Sequence, residues 1–256
     1  MQEYISYPIF KGLPVICATS TRASNLGTAD ENPNEKEIVQ NRKKFLNNFN
    51  IDIKDLVCMK QVHSSNIYKA SRADRAKGAL DAKSRIYGFD AMITDEPGIA
   101  LCVFTADCMP VFLYDKKKNT AAIVHAGWRG TQAQITEKSV EELVSNFKAD
   151  PKDILAALGP CIQKCCYKIC PDVAEQFERS VSKIGEEYFL DLAEENTKQL
   201  LDAGLLKDNI YDCAMCTSCR NDLFFSYRNE GAKAGRMMNF MMLKKPKLME
   251  PPQSGR

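Results

Sequence analysis

The sequence predicts an α+β fold, one domain in which short buried strands are mixed with amphipathic helices. Three observations carry that reading. Residues 100–130, ALCVFTADCMPVFLYDKKKNTAAIVHAGWRG, hold three apolar runs separated by polar words, the pattern of strands whose ends carry exposed groups. After Gly130 the period changes, and Ile135, Val140, Leu143, Val144 and Phe147 fall on one helical face. No internal repeat or linker divides the chain, so the domain is expected to span residues 1–243, followed by a loose basic tail over 244–256.

In chain order, residues 13–20 (LPVICATS) predict a first strand, ending at Thr21-Arg22 and the loop Ala23-Ser24-Asn25-Leu26-Gly27. Asn34 to Asn48 predicts a helix, with Ile38, Val39, Phe45 and Leu46 on one face. Ile53 to Met59 reads as a strand leading into Gln61-Val62-His63, and Ser64 to Ala70 as a second extended arm, which places His63 near a bend. Ser71 to Arg85 is charged and reads as an exposed loop. Phe89 to Thr94 is another strand, closed by the turn Asp95-Glu96-Pro97-Gly98. The helix beyond Gly130 is ended by Asp150-Pro151, and Ile154 to Leu158 is a short strand before Gly159-Pro160. Asp172 to Ser182 and Asp191 to Ala203 predict two more helices, the second with Gly204 at its C-terminal cap. Phe224 to Arg228 and Arg236 to Leu243, joined by Asn229-Glu230-Gly231, read as a hairpin.

Composition excludes several classes of function. A chain of 256 residues, 45% hydrophobic and 27% charged, is an ordinary globular composition with room for a sizeable core. A net charge of +2 gives no reason to expect nucleic acid or a membrane surface as partner. The first residues carry no basic or apolar leader pattern, and no run approaches the roughly 20 apolar residues that span a bilayer. A cytoplasmic protein is therefore expected, with small molecules as its partners; oligomeric state leaves no signal. The eleven cysteines are odd in number, which rules out a complete disulfide framework, and mostly reduced thiols are expected.

The chemistry concentrates in three words. The chain has two histidines, His63 and His125, each placed where a strand meets a turn, and Cys108 stands in a similar position. A thiolate and two imidazoles make a tridentate zinc set with a fourth position left for water or substrate. On spacing alone that signal is weak, because a histidine beside apolar residues is more often structural. The absence of other histidines, and the small or polar loop residues after both, point the other way. The same residues support a second chemistry, with Cys108 as nucleophile, His125 or His63 as its base, and Asp107 as orienter. Gly127-Trp128-Arg129-Gly130 opens a helix, and a helix N-terminus beside a guanidinium suits an anion.

Taken together, Gln61-Val62-His63, Thr94-Asp95-x-Pro97-Gly98, Thr105-Ala106-Asp107-Cys108-x-Pro110 and His125-Ala126-Gly127-Trp128-Arg129-Gly130 resemble the YfiH/laccase-domain family. Thr21-Arg22, Asn25-Leu26-Gly27, Gly159-Pro160-x-Ile162 with Cys165-Cys166-Tyr167, Asn196-x-x-Gln199-Leu200, Cys216-Thr217, and Phe225-Ser226-Tyr227-Arg228 before Gly235-Arg236 extend the likeness from about Thr19 to Leu243. That family has been called polyphenol oxidase, peptidoglycan editing factor and purine nucleoside phosphorylase. The resemblance implies a layered sandwich of mixed β-sheets covered by helices, with His63, Cys108 and His125 as catalytic metal ligands. It implies zinc as the cofactor, with copper able to compete for the site in vitro. It further implies phosphorolysis of adenosine, inosine or methylthioadenosine, with adenosine deamination alongside.

Arg22, Asn25, Arg129, Arg228 and Arg236 are the expected substrate-binding residues, the guanidinium groups holding phosphate. No His-x-Glu deaminase word is present, so the proton shuttle falls to Asp107 or to the substrate itself. Two departures touch substrate preference: Arg22 is followed directly by Ala23-Ser24-Asn25 where the family has Gly-Gly and a longer loop, and Gln163-Lys164 stands where it reads Gly-Pro. The alternatives are a copper-dependent polyphenol oxidase and a peptidoglycan-editing hydrolase. Cys213-x-x-Cys216-x-x-Cys219 has iron–sulfur spacing, with Cys161, Cys165, Cys166 and Cys170 as sources of a fourth ligand. Because Cys165, Cys166 and Cys216 already belong to the family words, reduced thiols without a ligand role are the expectation.

Overall fold

The three apolar runs of residues 100–130 become strands β7 (Ala100–Thr105), β8 (Met109–Asp115) and β9 (Thr120–Ala126), buried at every position. Such unbroken burial, without inside–outside alternation, requires that both faces of a sheet be covered. The computed structural model describes residues 2–27, 34–177 and 179–245, and it shows how that is achieved. One six-stranded sheet runs β1 (Tyr4–Ile5), β2 (Val15–Ser20), β15 (Met237–Leu243), β7, β3 (Leu56–Lys60), β5 (Ile86–Tyr87). A second runs β14 (Ile210–Asp212), β10 (Ile154–Leu158), β8, β9, β6 (Ala91–Thr94), β4 (Ile67–Lys69). Both sheets mix parallel and antiparallel neighbours.

Alternate residues of the two sheets meet between them: Val57, Leu101, Val103 and Met241 from the first pack with Phe112, Tyr114, Ile123 and Ala157 from the second. The outer face of the first sheet is covered by α1 (Glu35–Asn47), through Phe45 and Leu46 on Cys102 and Phe240. The outer face of the second is covered by α3 (Ile135–Phe147) and α5 (Leu192–Asp202), through Val140, Leu143 and Leu200 on Ile93, Val111 and Val124. The result is the expected α+β sandwich of mixed sheets between helices.

Several local expectations fail for identifiable reasons. The hairpin expected over residues 224–243 does not form. Ser226 instead caps one helical turn, α6 (Tyr227–Glu230), its hydroxyl accepting from Asn229 N, while the Glu230 carboxylate accepts from Ser226 N at 3.1 Å. That leaves β15 free to fill the slot between β2 and β7. The helix expected over 172–182 ends after α4 (Pro171–Ala174), and β12 (Val181–Ile184) and β13 (Glu187–Leu190) follow as a hairpin beside β11 (Lys168–Ile169). Its two-residue turn has Gly185 at φ +60, a conformation for which glycine is the natural choice. The helix after Gly130 is split into α2 (Trp128–Gln132) and α3 at left-handed Gln134, and α3 ends at left-handed Lys148 before Asp150-Pro151. The strand expected from Ile53 begins only at Leu56, and the charged segment 71–85 contains two short helical turns with Asp74 and Ala79 buried. Most of the tail over 244–256 lies outside the described residues, and Lys244 N still donates to Pro14 O at 2.8 Å.

A buried polar chain fixes the register of β15. Tyr7 Oη meets Thr19 Oγ1 at 2.5 Å, Thr19 donates to Asn239 Oδ1 at 2.6 Å, and Asn239 Nδ2 donates to Thr105 Oγ1 at 3.0 Å. A one-residue slip would orphan all of these groups. Asn239→Leu is expected to destabilise the protein by about 1–3 kcal/mol for each partner left unpaired, read as a lowered urea midpoint. An unchanged midpoint would show that the network does not hold the register.

Candidate active site

Three strand ends deliver the three side chains. Beyond β3 the Gln61 amide locks onto the end of β7, Nε2 donating to Phe104 O and Oε1 accepting from Phe104 N, both at 2.8 Å. The chain then turns sharply, with His63 at φ +60. Cys108 follows Asp107, at φ +90, in the turn between β7 and β8. His125 is opposite Pro110 in the β8–β9 register, which brings the end of β9 beside the Cys108 turn. Positive φ at two non-glycine residues beside one site is strain held by the surroundings, of order 1–3 kcal/mol each.

The ligand atoms of His63, Cys108 and His125 lie within 4.8 Å of one another, with Cys108 Sγ 4.0 Å from His63 Nε2. The two rings meet edge to face at 4.9 Å. Gly127 closes the floor: a Cβ there would stand 3.0 Å from Cys108 Sγ and 3.1 Å from His63 Cδ2.

Asp90, which the sequence reading passed over, organises this arrangement. It is fully buried. Its carboxylate accepts from the backbone N–H groups of Val62, His63 and Ser64 at 3.2, 3.0 and 2.6 Å, and from Ser64 Oγ at 2.9 Å. The same carboxylate meets His125 Nδ1 at 2.8 Å, and Asp90 O accepts from His125 N at 2.7 Å. With a proton held on Nδ1, a neutral His125 presents the Nε2 lone pair to the site. The only sequence signal was an acidic residue at the mouth of an apolar run.

The charges follow from the geometry. Burial alone would push the Asp90 carboxyl up, but the His125 hydrogen bond and charge, with the Ser64 donors, hold it below the ordinary carboxylate value. Burial likewise works against the Cys108 thiolate, and the positive charge and hydrogen bond of His125, with His63, outweigh it and bring the thiol down to about 6. Burial disfavours the His125 cation, yet Cys108 and Asp90 raise it to about 9. Near neutral pH the metal-free pair is a thiolate beside an imidazolium. One thiolate and two imidazoles in a tight cluster, one ring fixed by a carboxylate, are a donor set suited to zinc.

Among the described residues the Asp107 carboxylate makes no hydrogen bond to Cys108, His63 or His125, so it does not orient the thiol. Its Oδ1 accepts from Thr217 Oγ1 and its Oδ2 from Arg228 N, each at 2.6 Å, so both oxygens are committed to holding a second loop.

The triad lies in a cleft of about 700 Å³, also lined by Arg129, Arg228, Arg236 and Tyr167. Arg22 and Asn25 do not line it. Arg22 pairs with Glu230 at 3.2 Å and covers the Phe225 ring, which braces the 221–230 loop. Asn25 Oδ1 accepts from Arg236 N at 2.9 Å, so it positions an arginine of the cleft. Arg228 donates to Cys166 O and Lys168 O, and Arg236 to Ala234 O and Gly235 O. Arg129 stacks on Trp128 at 4.3 Å, and its guanidinium donates no hydrogen bond among the described residues. The helix it stands in is a single short turn, so an anion here would be held by the guanidinium rather than by a helix dipole.

A family model described as multi-copper polyphenol oxidoreductase laccase matches residues 16–244. The chain is 33% identical over 220 residues to the purine nucleoside phosphorylase YlmD of Bacillus subtilis (strain 168), covering 82% of this chain and 78% of the relative. It is 32% identical over 195 residues to a protein named adenosine deaminase RL5 from an unknown prokaryotic organism, covering 73% of this chain and 74% of the relative. The crystal structure of YlmD from Geobacillus stearothermophilus superimposes with a TM-score of 0.91 at 29% identity, over 95% of this chain and 97% of that one.

In metal-free protein, alkylation of Cys108 by iodoacetamide is expected to rise with pH through about 6 and then level off, because the thiolate is the reacting species. Asp90→Asn removes the charge that supports the His125 cation, so the profile should move toward the ordinary thiol value near pH ~8.5. Peptide mass spectrometry across pH measures both. A wild-type profile that climbs only above pH ~8 would contradict the ion-pair description.

Proposed function

The chain belongs to the multi-copper polyphenol oxidoreductase laccase family, and from that premise we propose that it is a zinc-dependent purine nucleoside phosphorylase that also deaminates adenosine. The carrying observation is the meeting of two chemistries in one cleft: the His63–Cys108–His125 cluster on its floor and the uncommitted guanidinium of Arg129 on its wall. The names of the relatives supply the substrate class.

His63, Cys108 and His125 would hold the zinc, three protein ligands being the number found in catalytic zinc sites that also take water or substrate. Bound zinc supplies Lewis acidity, polarising a substrate atom or lowering the pKa of a water. The chain's own residues account for the rest. In phosphorolysis a phosphate oxygen bonds to C1′ as the bond from C1′ to the purine nitrogen breaks, giving free base and ribose 1-phosphate. Arg129 would hold the phosphate, with Arg236 and Arg228 at the rim, through charge-assisted hydrogen bonds. Tyr167 offers a ring against which a base can stack. Burial and the neighbouring Cys108 charge push its phenol well up, so it stays a neutral donor. In deamination, water replaces the exocyclic amine at C6 and ammonia leaves, with no call on the phosphate site.

A polyphenol oxidase would need several histidine-rich copper sites to pass four electrons to oxygen, and two histidines cannot supply them. Copper bound at the single His₂Cys set would compete with zinc without adding that capacity.

Zinc-loaded, copper-free protein is expected to release free base from adenosine, inosine or methylthioadenosine only when phosphate is present, detected by mass spectrometry of products. Turnover of phenols alone, and only after copper addition, would overturn the proposal. Cys108→Ala should remove the zinc of this site, since two protein ligands hold the ion poorly. Arg129→Ala is expected to lower kcat/KM for phosphorolysis by about one to two orders of magnitude with zinc content unchanged. Deamination should fall far less, and equal loss of both reactions would move Arg129 from the phosphate to the nucleoside or to the fold.

A further inference from the structure

We propose that Cys165, Cys166, Cys216 and Cys219 form a second metal site, a mononuclear tetrathiolate centre for zinc that clamps one wall of the catalytic cleft. All four sulfur atoms lie within 4.8 Å of one another. Cys219 Sγ is 3.5 Å from Cys165 Sγ and 3.4 Å from Cys166 Sγ. These separations are far longer than a disulfide, at ~2.05 Å. They approach the ~3.8 Å between sulfurs on the edges of a tetrahedron with zinc–sulfur bonds of ~2.3 Å. A multi-iron cluster holds its cysteines around a larger inorganic core and would need this group to spread.

Two chain segments supply the ligands, and they are already zipped together. Cys161 N donates to Met215 O at 3.2 Å and Thr217 N donates to Cys161 O at 2.9 Å. Within the Cys216-x-x-Cys219 turn, Cys216 Sγ accepts from Cys219 N and from Gln163 N, each at 3.5 Å. Backbone donors aimed at a sulfur favour its thiolate form, which is the form that binds metal. Four thiolates close the coordination shell and leave no open position, as in a structural rather than a catalytic zinc site. Cys213 lies outside the group, so the run of three spaced cysteines is not the unit that assembles. The thiols expected to have no ligand role are instead gathered into one.

The place of the group gives the site its task. Cys166 O accepts from the Arg228 guanidinium at 3.2 Å, and Arg228 N donates to Asp107, the residue before Cys108. Thr217, next to Cys216, donates to the other oxygen of Asp107. An ion joining the two segments would therefore fix Arg228, Tyr167 and the Cys108 turn as one rigid wall.

Protein purified under reducing conditions without added metal is expected to carry two zinc ions per chain by plasma mass spectrometry. Cys108→Ser and the double variant Cys166→Ser/Cys219→Ser should each retain one. Zinc X-ray absorption of the Cys108→Ser protein should report four sulfur neighbours and no nitrogen, a readout that does not depend on the cysteine double variant folding. A single zinc that vanishes in Cys108→Ser would overturn the second site while leaving the catalytic one. A single zinc that survives Cys108→Ser and is lost in the double variant would support the second site and remove the catalytic one. A disulfide within the group in the reduced preparation, or a multi-iron cluster in it, would overturn the proposal.

Discussion

The candidate site depends on one buried carboxylate. Asp90 has no exposure to water, and an ionised group in that position is tolerated only when its oxygens are saturated by donors. The structure meets that demand with three consecutive N–H groups of the 62–64 turn, a serine hydroxyl and the His125 ring. The same demand bends the chain at His63 into its left-handed conformation and fixes the proton of His125 on Nδ1. Two side chains 62 positions apart are thus set by one anion, and Cys108 joins them because β8 and β9 are paired in a register that leaves no freedom at their shared end. If the anion were lost, the turn, the ring and the thiolate would all lose their reference together.

The legible part of this protein was the part in which one residue and its neighbours carry the signal. Strands covered on both faces read as apolar runs, α1 and α3 as spaced apolar faces, and the polar words at strand ends as places for chemistry. Most of what escaped was set by partners distant in sequence. Asp90 looks like any acidic residue before a strand until the 62–64 turn is folded over it. The segment 224–228 has the aromatic character of a strand, but the Ser226 hydroxyl accepts from Asn229 N and the Glu230 carboxylate from Ser226 N, which favours a helical turn. Asn25 and Arg22 stand in words that carry the family resemblance, yet their contacts are to Arg236 and Glu230, so here they act as supports. The cysteines misled for the same reason. Local spacing pointed to Cys213, Cys216 and Cys219, whereas the fold joins two of these to a vicinal pair some fifty residues upstream.

Asp107 links the two halves of the cleft and explains why so much of its surroundings is polar and buried. A residue with φ +90 between two central strands is unfavourable unless its side chain is anchored, and both of its oxygens are taken by the loop that carries Thr217 and Arg228. The anchoring acts in both directions: the loop holds the turn that presents Cys108, and the turn holds the loop that presents Arg228. On the floor His125 lies within β9, His63 and Cys108 stand on turns at strand ends, and the wall is built on loops, which yield more easily than strands. A wall of that kind needs cross-links to stay within the few tenths of an ångström that catalysis requires. The Arg228 contacts to Cys166 and Lys168, the Arg22–Glu230 pair and the four gathered cysteines are all cross-links between those loops. The floor is held instead by the Asp90 carboxylate and by the paired ends of β8 and β9.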